Sequence, residues 1–407
     1  MNFYYRKKYI DKLLELKDKK YVKVLTGIRW SGKSTILSLF QEKLLKTKSI
    51  SKNQIIEYDF NKIELQEIAY KELCYQIKAK AQKNKVNYVF LDEVQEIPSW
   101  EKCVISLYEE KQIKFDIYIT GSNSKLLSTE LSTLLTGRHR DIRVMPLSLT
   151  EFADVSQNPS LRDAFAKYIN IGGLGIIIPN INNEKEVNQD LRMVLEDTIN
   201  KDIKYRHRNK NNTLINRLIE YVYSVIGKPV SSVNIENYFK SNKIDITRKT
   251  IDSYLNWACD AMLLYRVNYF NTKTKTILKT AGKYYAGDLG LLSANIKFND
   301  AIYSFKIENL VFLKFIELGY EVYTSQIYQP NKANKEIDFV AIKDKVISYF
   351  QVCETLTDKN YEREINNLLS IRDGNSKNLI VLNDTSTKGD LDRVKRIGLI
   401  EFLTREE

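Results

Sequence analysis

Short β-branched runs alternate with stretches of helical periodicity from the start of the chain as far as Pro146. The runs Tyr21 to Thr26, Gln54 to Phe60, Asn87 to Asp92, Phe115 to Thr120 and Asp141 to Val144 predict five strands. Apolar residues recur at helical spacing over Tyr9 to Lys17, Thr35 to Leu45 and Lys125 to Leu135. Alternating strand and helix signals an α/β layer built on a parallel sheet.

The rhythm then changes. After the turn IGGLG near Ile171, helical patterns dominate as far as Gly227, broken by the basic stretch Lys201 to Asn212. Ser232 is placed to cap a helix over Asn234 to Lys240, and Thr247 one over Lys249 to Met262. Alternating segments at Leu264 to Phe270 and Lys275 to Leu278, joined by a polar NTKT turn, complete a helix, turn, helix and hairpin order that resembles a winged helix. A helix over Ile302 to Glu317 follows. Strand-like runs at Tyr320 to Thr324, Glu336 to Ile342, Val346 to Val352 and Asn378 to Leu382, with a helix at Tyr361 to Ile371, give an αβββαβ order.

At 407 residues the chain is too long for one core, and the pattern divides it into residues 1–155, 156–295 and 296–407. Two His and four Cys, none of the Cys close together in sequence, argue against zinc ribbons, zinc fingers and a disulfide framework and suit a reducing compartment. The formal charge of +12 attracts polyanions such as nucleic acid, although coding bias toward Lys, Ile and Asn yields the same number. No apolar run is long enough to span a bilayer, and the start MNFYYRKKYI has no apolar signal region. These features lead us to expect a soluble, cytoplasmic protein with no membrane insertion.

The sharpest chemical signal is Gly27-Ile28-Arg29-Trp30-Ser31-Gly32-Lys33-Ser34, followed by Thr35, between a strand and a helix. Glycines let backbone N–H groups wrap phosphates, Lys33 adds a point charge, and the Ser34 hydroxyl is placed to ligate Mg²⁺ at a helix N-terminus. The run YVFLDE from Tyr88 ends an apolar strand in two acids, Asp92 for the metal and Glu93 as the base that activates water. A third strand ends in Ser122 and Asn123, either a γ-phosphate sensor or an ordinary helix cap. Arg138 and Arg140 are candidates for charge stabilisation in cis or from a neighbouring subunit, or else solvated surface residues. Asn242 to Asp245 and Thr387 to Asp390 mimic a guanine-reading signature but lie far downstream and read as turns, so ATP is the expected nucleotide.

At these residues the chain resembles bacterial and archaeal ATP-binding proteins that join an AAA-like ATPase domain to a C-terminal domain of unknown function with a nuclease-related core. The resemblance rests on GIRWSGKST at Gly27, YVFLDEVQEIPSWE at Tyr88, ITGSNSKLLSTELSTLLTGRHRDIRVMPLSLTEF at Ile119, KYYAGDLGL at Lys283, ENLVF at Glu308 and KEIDFV at Lys335. It implies an AAA-like P-loop domain, a helical and winged-helix middle, and a restriction-endonuclease-like α/β end. That nuclease chemistry uses two acids and a lysine. Here Glu308 and Asp338 stand at the acidic positions, but Gln351 and Cys353 replace the second acid and the lysine, so the domain is expected to be degenerate. Asp338 and Glu336 then read as charged residues on a half-exposed strand, and Glu354 points the wrong way to substitute.

Arg248, Lys249 and Lys273 to Lys275 lie where a recognition helix and wing meet phosphates, with Tyr254 or Tyr265 available for stacking. The function expected from the sequence is a Mg²⁺-dependent ATPase acting as a nucleotide-driven switch, on DNA or on a protein partner, with oligomerisation open. The alternatives are a regulatory binding module that ATP merely stabilises, and an active nuclease.

Overall fold

The computed structural model describes residues 4–124, 135, 137–205, 212–296, 303–327, 335–389 and 393–406. The helix expected over 125–134, most of the basic stretch after Tyr205, and Asp390 lie outside the described residues. The chain forms two compact units, Met1–Pro146 with Asp260–Met262, and Leu147–Cys259 with Leu263–Glu407.

In the first unit, helix α1 (Lys7–Leu16) precedes strand β1 (Val22–Thr26) and helix α2 (Lys33–Leu45). Then come β2 (Ile55–Asp59), α3 (Ile63–Gln66), α4 (Tyr70–Lys80), β3 (Val86–Asp92), α5 (Trp100–Tyr108), β4 (Lys114–Gly121) and β5 (His139–Arg143). All five strands are parallel, in the order β2-β3-β4-β1-β5. Each expected strand is present; the central β1, β3 and β4 are buried on both faces, as a parallel sheet requires, while the edge strands β2 and β5 are only partly buried. Apolar clusters cover the two faces, one including Phe40 of α2 with Phe90 and Tyr118, the other including Ile77 of α4 and Val104 of α5. The order puts β4 between β1 and β3, so the loop after β1, the acids ending β3 and the polar end of β4 converge at one sheet edge.

In the second unit the helices α6 (Leu149–Val155), α7 (Leu161–Ile171), α8 (Glu184–Thr198) and α9 (Asn212–Ser224) come first. Ile199–Tyr205 continues α8 as a π-helical turn, which takes up the described part of the basic stretch. Next are β6 (Pro229–Val230), α10 (Ser232–Ser241), α11 (Arg248–Asp260), β7 (Leu264–Asn271), β8 (Thr276–Ala286) and α12 (Leu289–Asn295). The chain continues through α13 (Tyr303–Glu317), β9 (Glu321–Ile327), β10 (Lys335–Lys343), β11 (Val346–Leu356), α14 (Tyr361–Leu369), β12 (Ser376–Asp384), β13 (Lys395–Gly398) and α15 (Leu399–Leu403).

Three differences from the sequence pattern have physical causes. The cap of α10 is Ser231, whose Oγ accepts from Asn234 N at 3.2 Å; the chain is extended through β6 until that residue, so Ser232 already lies in the helix. Strand β8 runs to Ala286, well past Leu278, because a bulge between Leu278 and Gly282 shifts the register and the pairing with β7 then resumes from Gly282 to Ala286. Finally, β7 and β9 are paired in parallel at Tyr269 and Thr324, so the hairpin expected in residues 156–295 and the strands of 296–407 share one eight-stranded sheet, β13-β12-β11-β10-β9-β7-β8-β6.

Candidate functional site

The loop from Gly27 to Gly32 turns back on itself between β1 and α2. A Cβ on Gly27 would meet the Val144 carbonyl at 2.2 Å, so only glycine allows the loop to lie against the end of β5. Gly32 has φ 95, and Trp30, 51% exposed, also adopts a positive φ of 64. Such left-handed residues turn successive N–H groups into an anion-binding concavity at the N-terminus of α2.

Lys33 is buried at the start of α2 and donates to the Gly27 and Ile28 carbonyls at 3.0 and 3.4 Å. Its ammonium lies 3.4 Å from Glu93 Oε1. Glu93 has φ 53, a backbone turn that brings its side chain back toward the loop. Burial alone would raise its carboxyl, but Lys33 and Arg29 outweigh that and hold it at about 2. Asp92 behaves oppositely: burial pushes it up against hydrogen bonds from Ser34 and Thr120. The proposed metal pair, Ser34 and Asp92, therefore lies close enough for the hydroxyl to act on the carboxylate. Among the described residues no cluster of three or more His, Cys, Asp or Glu side chains is arranged to hold a metal, so a cation here would take its other ligands from nucleotide and water.

The pocket fits a nucleotide. It offers a glycine cradle, a lysine, a hydroxyl and carboxylate pair, and two buried hydroxyls, Thr26 Oγ1 and Ser31 Oγ, without a partner among the described residues. The Ser122 Oγ accepts from Gln95 Nε2 at 3.3 Å, and Asn123 is buried beside it at the end of β4.

Three residues that sequence reasoning did not single out also build the site. Thr120 Oγ1 donates to Asp92 and accepts from Glu93 N at 2.9 Å, tying both acids to β4. Gln95 Nε2 donates to Glu93 Oε2. Arg6, just before α1, donates to the carbonyls of Ser31, Met145 and Pro146 at 2.9, 2.7 and 3.3 Å, fixing the phosphate loop to the chain after β5. Thr120 could have been noticed as a hydroxyl ending an apolar strand; nothing local marks Arg6.

Arg138 and Arg140 need correcting as cis candidates. Val22 pairs with His139 and Thr26 with Arg143, so both arginines sit at the start of the strands while the phosphate loop follows their end. Arg138 pairs with Glu109 at 3.4 Å, and Arg140 lies over the Tyr21 ring at 3.8 Å.

In the second unit the four expected nuclease-site residues divide. A register shift between Ile337 and Val340 turns Asp338 and Phe339 toward α13 together. There Glu308 accepts from Lys283 of β8 at 2.9 Å and from Tyr285, and Lys283 also pairs with Glu336. Burial lowers Lys283, but Glu308, Asp338 and Glu336 together push it up; burial and Glu308 raise Asp338. Asp338 is thus buried, with its carboxyl pushed well above the usual carboxylate range, rather than half-exposed. Phe350 packs on Phe315 of α13 at 4.7 Å, whereas Cys353 joins the apolar cluster of α14. Strand alternation gives Gln351 the same face as Cys353, away from Glu308.

The supposed nucleic-acid residues are partly engaged. Arg248 pairs with Glu236 at 2.7 Å and Lys275 with Asp373 at 2.7 Å, leaving Lys249 and Lys273 exposed. Tyr254 is buried against Trp257 and Tyr265 packs on Phe312, so neither presents a stacking face.

Residues 19–153 match the AAA domain family, and residues 162–301 match a domain of unknown function. An uncharacterised protein of Haemophilus influenzae is 30% identical over 405 residues, covering 98% of each chain. One from Methanocaldococcus jannaschii is 30% identical over 357 residues, 84% of this chain and 77% of its own length. A Walker-type ATPase of Pyrococcus abyssi aligns with a TM-score of 0.48 and 14% identity, over 72% of this chain and 96% of that one. No described helix is long and apolar enough to cross a membrane.

Proposed function

The chain belongs to the same family as the uncharacterised Haemophilus influenzae protein, its residues 19–153 match the AAA domain, and on that premise we propose that it is a Mg²⁺-dependent ATPase working as a nucleotide-driven switch. The observation that carries this reading is the convergence of Ser34 with Asp92 and of Lys33 with Glu93 at one sheet edge. Residues Gly27 to Thr35 hold the phosphates, with Lys33 leaving Glu93 to meet them. Ser34 and Asp92 hold Mg²⁺, which neutralises charge on the phosphates when bound. Glu93, released from Lys33, takes the proton of the attacking water, and Asn123 senses the γ-phosphate.

Residues 1–155 are proposed as the ATPase domain, and residues 156–295 and 296–407 as two parts of one folded unit joined through the eight-stranded sheet, a helical and winged-helix module and a nuclease-derived part that does not cut. Lys283 supports the last point, because it neutralises the acids in place. DNA is the proposed polyanionic partner, supported by the charge of +12 and by exposed Lys249 and Lys273. Arg138 and Arg140 are left a role only in trans, on a neighbouring subunit.

The test is steady-state phosphate release by the wild type and by Glu93→Gln, with and without DNA at two salt concentrations. The wild type is expected to exceed the variant at least tenfold, an order of magnitude usual for loss of a general base, with DNA stimulation that fades as salt rises. Equal rates in both proteins under all conditions would leave an ATP-stabilised binding module instead.

A further inference from the structure

We propose that Gln95 is a catalytic residue of the ATPase site, whose amide holds Glu93 on one side and takes a hydrogen bond from the attacking water on the other. This rests on the ATPase reading above.

Gln95 lies in the short turn directly after β3. Its Nε2 donates to Glu93 Oε2 and to Ser122 Oγ at 3.3 Å. The orientation of the amide follows from chemistry: a carboxylate paired with Lys33 can only accept, so nitrogen must face it. That leaves Oε1 turned the other way. It is buried and has no hydrogen-bonding partner among the described residues. A buried acceptor left without a donor destabilises the fold, and such groups in a folded protein call for a specific reason.

One amide thus links two acceptors, Glu93 through its nitrogen and Oε1 through its own carbonyl. A water between them has both hydrogens fixed and one lone pair directed outward. Its oxygen forms a bond to the γ-phosphorus as the bond from that phosphorus to the bridging oxygen breaks. The electron pair leaves with ADP, one water proton passes to Glu93, and inorganic phosphate is released. Gln95 gains and loses no proton; it restricts the water to the reactive orientation, which is where such residues contribute.

The experiment measures three quantities on full-length wild type, Gln95→Ala, Gln95→Met and Glu93→Gln: kcat, the Kd for Mg²⁺-ATP, and the Kd for ADP with aluminium fluoride, which imitates the transferring phosphoryl group. Both Gln95 variants are expected to lose about tenfold to a hundredfold in kcat, the range of one misplaced acceptor, and the same factor in fluoride-complex affinity. ATP affinity should stay within about twofold, and thermal unfolding of the nucleotide-free variants should match the wild type. Unchanged kcat and fluoride-complex affinity would overturn the proposal, and so would a parallel loss of ATP affinity, which would make Gln95 part of the pocket wall. A wild type no faster than Glu93→Gln would instead overturn the ATPase reading itself, and this inference with it.

Discussion

Thr120 carries two obligations on one hydroxyl: it donates to Asp92 and accepts from the Glu93 amide. Replacing it with valine keeps the volume but frees a buried carboxylate and a buried N–H, at about 1–3 kcal/mol for each unmet group. Thr120→Val is therefore expected to lower kcat by about tenfold to a hundredfold while ATP affinity changes little. A variant turning over at the wild-type rate would show that Asp92 and Glu93 are fixed by other contacts. Arg6 makes the opposite prediction, since it holds the Ser31 carbonyl of the phosphate loop itself. Arg6→Ala should raise the Kd for ATP about tenfold, the equivalent of one charge-assisted hydrogen bond, and Arg6→Lys, which keeps the charge without the fork, should recover part of it. Isothermal titration with Mg²⁺-ATP checks both, and equal affinity in all three proteins would remove Arg6 from the site.

At the level of elements, Asp288 joins the start of α12 to the turn after α7, accepting from Gly290, Leu291 and Gly173 amides at 2.8, 3.2 and 2.8 Å. Burial raises its carboxyl to about 6 from an ordinary 3.8, against the pull of those three N–H groups. Between these values the folded chain keeps a proton that the unfolded chain releases. Its contribution to stability therefore falls as pH rises through that window, by up to about 3 kcal/mol, and is constant above it. The stability difference between wild type and Asp288→Asn, followed by denaturant unfolding, should change by this amount from pH 4 to pH 7; parallel profiles would refute the raised value. Asp288 was visible in the motif KYYAGDLGL, but its partner Gly173 was not, because the two meet only in the folded chain. The same divide runs through the whole structure. The central strands β1, β3 and β4 and the run from Gly27 to Glu93 were legible, since burial on both faces writes continuous apolar runs and phosphate chemistry needs contiguous residues, whereas the half-exposed edge strands β2 and β5 showed only short apolar runs. Strand β8 reads from the sequence only as far as Leu278, where the bulge begins, and Lys283, Arg6 and Thr120 act through contacts 25 to 140 residues away, for which no local pattern exists.

Across the molecule the eight-stranded sheet decides which pieces of the chain can stand alone. A boundary at 295/296 separates β7 and β8 from β9, exposing a sheet edge, and takes Lys283 away from Glu308, Glu336 and Asp338. It also strips Tyr285 from its stack on Phe312, at 4.6 Å between ring centres. Removing one partner of a buried ion pair costs about 3–5 kcal/mol, a large share of the roughly 5–15 kcal/mol by which domains are stable. Lys283→Met in the full chain should accordingly lose about 3–5 kcal/mol in denaturant unfolding. The fragment 296–407 loses the cation, the stacking ring and β7, the strand partner of β9, together, and is expected to show no cooperative thermal transition. The fragment 147–407 keeps all of them and should melt cooperatively. A cooperative transition in 296–407 alone would mean that the acids are satisfied without Lys283, and the charge network would then have to be assigned to something other than holding this sheet together.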